Sequence, residues 1–565
     1  MLTTAPPLFP AAPVDAQGCE YWVAPPPAGS DSNPGTSARP WATLDYASEQ
    51  VLAQGGSHCT VWFKDGIYTG QHVLHERFTT PMTFKAVNPY KAVLHYSGTV
   101  VKVSGAQNVI FDGFEFRHSG PGASVLVVQV RSNEGVWSEN ITFRNNIFHD
   151  SYNDDLLKIL DGARFVTVEN NIFYNPGASE EHMDVNSVTD VTIQDNIFFN
   201  DFSGSGRSNF NDTKSFITIK DSNEHNDGLL GSKRVTVRRN IFLNWEGGRE
   251  SLVQIGNDGK PYHEAEDVRL ENNLMIGNAR NEVYATVGVR GGKNVTFTNN
   301  TVVGDLPSAS YAFWLSTTGL NPLNESIFFY NNIWSDPTGT MREFSDGDPA
   351  ATSNLILDNN LYWNGGAAIP PGDLVSPLVH DARRVVADPR LNANQASISL
   401  PRWNGQAFLS GNKFIRQEFE RLVEQYGRIS SGSAAIGKAD PAFVPAADIL
   451  GRPRTTPDLG AYEYSPALTG SSGLTTLFLS WSDPHEPNAS SLALTYTVGT
   501  TTALVTGVPT TTRAYTLTDL LPYWLYTVTL TARDGGGAIL TRSNAVLLLT
   551  TDRHVYLPIA IKYAP

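Results

Sequence analysis

Apolar and polar residues alternate in short runs that recur along the chain: NVIFDGFEFRHS, NITFRNNIFHDS, FVTVENNIFYNP, DVTIQDNIFFND, RVTVRRNIFLNW, DVRLENNLMIGN and NVTFTNNTVVGD. Each run is an alternating segment, an Asn-rich turn and a second short apolar segment. A period of two with β-branched residues predicts strands, because a helix would space its apolar positions three and four apart. The unit returns roughly every 25 to 45 residues, with insertions of variable length between copies. So short a unit cannot bury its apolar face alone, whereas stacked copies can. The pattern predicts an all-β chain built on a right-handed parallel β-helix. Its turns hold Asn145, Asn146, Asn170, Asn171, Asn196, Asn240, Asn272, Asn273, Asn299 and Asn300. Stacked rung on rung, these amides can bond one another and the backbone, and Asn tolerates a left-handed corner.

A solenoid needs its open ends covered. PWATLDYASEQVLAQ carries Trp41, Leu44, Ala47 and Val51 at helical spacing and predicts an N-terminal capping helix. The longer stretch YWVAPPPAGSDSNPGTSARPWATLDYA resembles the opening of many secreted β-helix proteins. Beyond about residue 365 the repeat fades into Pro-rich sequence holding one amphipathic helix, FIRQEFERLVEQYG. DILGRPRTTPDLGAYEY resembles the closing segment of bacterial surface and secreted β-helix proteins. From about 466 the chain turns to Ser/Thr-rich alternating strands. LFLSWSDP, LTYTV and LTDLLPYWLYTVTLTARDGGG resemble a fibronectin type III module, with Tyr526 where that family places its tyrosine corner. The last residues, VYLPIAIKYAP, resemble the tail of secreted proteins from some filamentous bacteria. The expected division is 1–58 for the entry strand, loop and capping helix, and 59–365 for the coil. An irregular extension of the coil (366–465), the fibronectin-like module (466–552) and a tail (553–565) follow.

Composition narrows the partners. The net charge of -15 excludes a basic stripe for nucleic acid, and no run of eighteen apolar residues could span a membrane. The two cysteines, Cys19 and Cys59, are either free thiols or a disulfide tying the N-terminal segment to the first strands. The disulfide fits a secreted, extracellular bacterial protein, expected as a monomer whose leader peptide has been removed.

Candidate chemistry comes from aligning LLKIL, MDVNSV, FITIKD, LVQIG and ATVGVR. With Ile159, Val185, Ile219, Ile255 and Val289 inward, one outward column holds Lys158, Asp184, Thr218, Gln254 and Gly288. Its neighbour holds Leu160, Asn186, Lys220, Gly256 and Arg290. Rungs lie about 4.8 Å apart, so residues one rung apart can share a ligand. Asp150, Asp154 and Asp155 precede Lys158, and Glu180, Glu181 and Asp184 follow it, which puts up to six carboxylates on two rungs. Such acids either keep a sheet edge solvated or hold a hard cation, and an oxygen-rich cluster suits Ca²⁺.

Acids on successive coils followed by an outward lysine resemble the site of calcium-dependent β-helix pectate lyases, particularly polysaccharide lyase family 9. The resemblance implies that Asp155, Glu180, Glu181 and Asp184, with Asp154 beside them, hold Ca²⁺, and that Lys220 removes the proton. Lys158 is a second candidate base. The chain departs from the family in using Glu at two positions where Asp is favoured. The implied substrate is an acidic, uronate-containing polysaccharide cleaved by β-elimination. Arg290, Asn186 and Gln254 are the expected substrate contacts, and His182 is either a candidate proton donor or substrate contact, or a hydrogen-bonded residue of the rung. Two other readings stand beside this one. NDDLLKI is similar to the paired aspartates of polygalacturonase-type hydrolases, although the Gly-His-Gly and Arg-Ile-Lys stretches of that family are not recognisable. A non-catalytic carbohydrate-binding or adhesin solenoid is the other.

Overall fold

The computed structural model describes residues 19–551 except 178–179, 208–212, 225, 278–280, 305–309, 393–396, 455, 483 and 485–487. The tail 553–565 lies outside the described residues. Three parallel sheets wind along one axis as a right-handed β-helix, the first and third with 12 strands and the second with 10. One rung shows the logic. Leu157–Leu160 lies in the second sheet, Arg164–Glu169 in the first and Ile172–Tyr174 in the third, and Met183–Asn186 re-enters the second one level on. Alternation sends every second residue inward, and rungs stack like on like. Phe148, Phe173 and Phe198 lie face to face at 4.6 and 5.0 Å.

The Asn turns form the expected ladder. Asn145, Asn170, Asn272 and Asn299 take φ of 51° to 56°, which lets the chain corner sharply between the first and third sheets. The following residue turns into the coil and is buried. Asn146 Nδ2 donates to Asn171 Oδ1 at 3.1 Å, Asn171 to Asn196 at 3.0 Å and Asn196 to Asn240 at 3.0 Å. The series continues through Asn273, Asn300, Asn332 and Asn360 and ends on Asp381 Oδ2 at 2.9 Å. Asp381 also accepts the backbone N–H groups of Asn359 and Asn360 and the Tyr362 hydroxyl.

The N-terminal end is closed as predicted. The helix Leu44–Ala53, N-capped by Thr43, buries Leu44, Ala47 and Val51 beneath Trp41. Cys19 and Cys59 form a disulfide beside the paired strands Glu20–Val23 and Thr60–Phe63. The coil takes in Glu20–Val23 and reaches Val385–Val386, so it is longer at both ends than 59–365.

Of the expected extension 366–465, the strand Val385–Val386 continues the coil and the segment after it leaves the coil. It lies along the outer face of the third sheet, whose outward residues Ile147, Ile172, Ile197, Ile241, Leu274 and Ile333 are apolar and need a cover. Phe419 and Leu422 of the helix Ile415–Leu422 pack there, as does Tyr462. The backbone N–H of Ile415 bonds the Tyr90 hydroxyl at 3.1 Å, and Asn299 Nδ2 bonds the carbonyl of Asp458 at 3.0 Å. Two antiparallel sheets between Leu468 and Leu549 then form a β-sandwich over Trp481, Leu494, Tyr526 and Leu530. The Tyr526 hydroxyl accepts the N–H of Leu521 at 2.8 Å, the backbone bond expected of a tyrosine corner. Among the described residues no helix is long and apolar enough to cross a membrane.

Candidate functional site

The second sheet keeps the predicted register. Lys158 pairs with Asp184, Asp184 with Thr218, Thr218 with Gln254 and Gln254 with Gly288, while Asn186 stands opposite Lys220. This column is the floor of the site. One wall comes from the inserts that enter the sheet, carrying Asp154, Asp155, Glu180 and Glu181. The other comes from the inserts that leave it, carrying Asp258.

Asp184 is the hub. Its side chain is 1% exposed, and Oδ2 lies 2.6 Å from Lys158 Nζ and 4.0 Å from Lys220 Nζ. Oδ1 is buried with no hydrogen-bond partner. Lys158 also reaches Asp155 Oδ2 at 3.2 Å, and Lys220 reaches Asp258 Oδ1 at 3.6 Å. The two amines are therefore held differently: Lys158 is clamped between two carboxylates, whereas Lys220 sits at long range from both of its partners. Burial opposes the charge on both lysines. Asp184 and Asp155 outweigh it at Lys158, and Asp184, Glu181 and Asp258 outweigh it at Lys220, so both are held above the usual lysine range.

The acids divide into two groups. Asp154, Asp155 and Glu180 bring ligand oxygens within 4.8 Å of one another, a hard-oxygen set that fits a divalent cation. Glu181 and Asp184 are already engaged: Thr218 Oγ1 donates to Glu181 Oε1 at 2.9 Å, and Asp184 holds the lysines. Asp155 is fully buried, and burial together with repulsion from Glu181 raises its pKa. Glu180 is pushed up to about 7 by burial and by Glu181, and Glu181 is raised by burial and by Asp184. Negative charge is crowded here, and a bound Ca²⁺ would relieve it.

Several expected positions are corrected. Asp150 belongs to another cluster, bonded to His149 at 2.8 Å and to Asn175 at 2.9 Å, so the site holds five of the six expected acids. His182 turns into the coil rather than outward. Its ring lies 4.8 Å from that of Phe216, Nε2 bonds Asn200 at 3.0 Å, and burial pushes its pKa down to about 3. The side chain is fully buried. Asn186 uses both ends of its amide on Ser222, at 2.6 and 3.0 Å, and braces an insert instead of facing the groove. Gln254 is 3% exposed and donates to the carbonyl of Gly256, with Oε1 turned into the space that Gly288 leaves. A Cβ at Gly288 would stand 2.3 Å from that oxygen. Arg290 lies over the Trp314 ring at 3.6 Å and bonds Asn257.

Sequence reading missed Asp258, Trp314, Tyr284 and Arg249. Trp314 follows Gly288 in the outward column, Tyr284 meets it edge-on at 4.6 Å, and Arg249 covers Tyr284 at 4.5 Å. The signal was the alternation in YAFWLS, which extends the same column by one rung.

No protein-family model and no curated protein matches the chain. Among solved structures it is similar to the PL6 family alginate lyase AlyGC, at 12% identity and a TM-score of 0.40 over 70% of this chain and 57% of that one. The A-module of the mannuronan C-5 epimerase AlgE6 from Azotobacter vinelandii is 13% identical over 61% of this chain and 94% of that one, at a TM-score of 0.40. PfbA, a surface adhesin of Streptococcus pneumoniae, is 14% identical over 57% of this chain and 85% of that one, at 0.36. Likeness at this level speaks to neither activity nor substrate.

Proposed function

We propose that the outer face of the second sheet is the active face of an extracellular lyase that cleaves a uronate-containing polysaccharide by β-elimination. The observation that carries this reading is the meeting of Asp155, Glu181, Asp184, Lys158 and Lys220 around one buried carboxylate on three successive rungs. Asp154, Asp155 and Glu180 would hold Ca²⁺, with Glu181 beside them. Bound there, the ion supplies positive charge that neutralises a substrate carboxylate and acidifies the C5 proton next to it.

The elimination breaks the C5–H bond, forms the C4–C5 double bond and expels the oxygen on C4, which takes its proton from solvent; the chain's own groups supply the base and the orientation. Lys158, clamped by Asp155 and Asp184, keeps its proton and fixes the orientation of Asp184. Lys220, held at 3.6 and 4.0 Å, is the base: its acids keep it protonated in the metal-free chain, and the positive charge of a bound Ca²⁺ beside it would lower its hold on that proton. Arg290, presented on Trp314, offers its guanidinium edge to a second uronate carboxylate two rungs along. The Cys19–Cys59 disulfide supports an oxidising, extracellular setting.

The test is incubation with pectate, alginate, ulvan and glycosaminoglycans, with and without a chelator, following the ultraviolet absorbance of the unsaturated uronate product. Activity on one polymer should vanish with chelator. Lys220→Ala should lower it by a factor on the order of 10² to 10⁴ while leaving Ca²⁺ binding intact. Cleavage without that absorbance would mean hydrolysis, and retention of an acidic glycan without cleavage would mean a binding solenoid; either outcome defeats the lyase reading.

A further inference from the structure

The first sheet carries a second groove, on a face separate from the acidic site. It encloses about 560 Å³, within the range of ligand sites, and Thr142, Thr167, Thr192 and Thr236 stand in register along its floor. Along this edge of the sheet nine successive rungs, from Asn108 to Asn354, turn through a left-handed residue, and the first five of them, Asn108 to Arg234, line the groove. Neighbouring rungs pair these residues. Asn140 Nδ2 donates to Asn108 Oδ1 at 3.0 Å, Arg234 grips both oxygens of Asp190 at 2.7 and 2.8 Å, and Asn294 Nδ2 donates to Asp267 Oδ1 at 3.0 Å.

Phe165 breaks this polar series between Asn140 and Asp190. It is the apolar residue of the column, at φ 54° and 51% exposed. A bulky side chain in the left-handed region is strained, and an exposed ring forgoes burial, so the residue costs the fold twice. The other rungs fill the corner with Asn, Asp or Ser, and at Arg234 with a long side chain whose guanidinium is paired to Asp190.

Charge selects the occupant. Asp190 and Arg234 neutralise each other in their two-pronged pair, and the rest of the lining is uncharged. Threonine hydroxyls donate and accept, and they recur at about 4.8 Å, close to the length of one pyranose unit. An aromatic face beside a row of hydroxyls suits a sugar, whose ring C–H groups stack on the one and whose hydroxyls bond the other. The geometry points to a binding groove for an uncharged, extended polysaccharide chain, stacked on Phe165 and hydrogen-bonded by Thr167 and Thr192. The groove holds the protein on a neutral polymer while the second sheet faces an acidic one.

Affinity electrophoresis of the full chain, through gels containing mixed-linkage glucan, xyloglucan or galactomannan, tests this directly. At least one of these neutral polymers should retard the protein. Phe165→Asn should weaken retention about tenfold, the loss of one ring stack. It should also raise the melting temperature, because Asn suits the corner. Thr192→Lys, placing bulk and charge on the floor, should abolish retention with the circular dichroism spectrum unchanged. Lys220→Ala should be retarded like the parent, so failure here and failure of the lyase reading are distinguishable. Absence of retardation by all three polymers, or equal retardation of Phe165→Asn, overturns the proposal.

Discussion

Glu180, Asp155 and Glu181 repel one another in a buried setting, so pH and Ca²⁺ act on the same residues. Glu180 has its folded pKa lifted from 4.5 to about 7. Between those values the folded chain keeps a proton that the unfolded chain has released, so metal-free stability falls as pH rises through the window. Ca²⁺ needs the ionised form and reverses the trend. Thermal unfolding with chelator should show a lower melting temperature at pH 8 than at pH 5, and added Ca²⁺ should raise it more at pH 8; a flat response to both would show that the acids are solvated and unlinked. At this scale the sequence was informative where strands alternate. Lys158, Asp184 and Lys220 lie on the face that the period of two assigns them. His182 stayed open between proton donor and hydrogen-bonded rung residue because it sits one residue ahead of Met183–Asn186, where alternation does not yet bind; its bond to Asn200 makes it the latter. Asn186 was misread because its partner, Ser222, comes from an insert whose path no periodicity reveals.

The rung is held by its turn as much as by its strands. Asn196 accepts from the backbone N–H of Asn171 at 2.9 Å and from its side chain at 3.0 Å, and it donates to the Val168 carbonyl at 2.9 Å and to Asn240. Asn196→Ala leaves these buried groups unpaired, at about 1–3 kcal/mol for each orphan. A denaturant midpoint well below the parent's is expected, while Asn170→Ala, at the half-exposed corner position, should cost less, through strain and the loss of its single part-buried bond to Asn145. Equal losses would mean that the ladder adds nothing beyond the corner conformation. The Asn turns were legible because the same residue recurs at the same place in successive copies from Asn146 onward. The cover over the third sheet was not. In NNIF the Ile points outward and the Phe inward, and a three-residue strand is too short to show that both faces are buried. The apolar face implied a partner, and only the three-dimensional path shows that the chain doubles back to supply it.

The whole molecule is a stack in which each rung touches its neighbours, so stability is local and the ends are weakest. The disulfide closes a separation of 40 residues at one end, worth about 4 kcal/mol by loop entropy. Replacing both cysteines with Ser should speed amide exchange in Glu20–Val23 and Thr60–Phe63 and leave Ile217–Lys220 unchanged; uniform acceleration would show that the coil unfolds as one unit. At the opposite end the Asn ladder stops on Asp381. Every amide in that row points its N–H the same way, so the small dipoles add along the axis with their positive pole toward the last coil. A carboxylate waiting there answers that pole with a full negative charge and, having no hydrogen to pass on, gives a further amide nothing to accept. The row thus has a direction and a terminus written in side-chain chemistry, and a copy of the repeat added beyond Asp381 would find no donor to continue it.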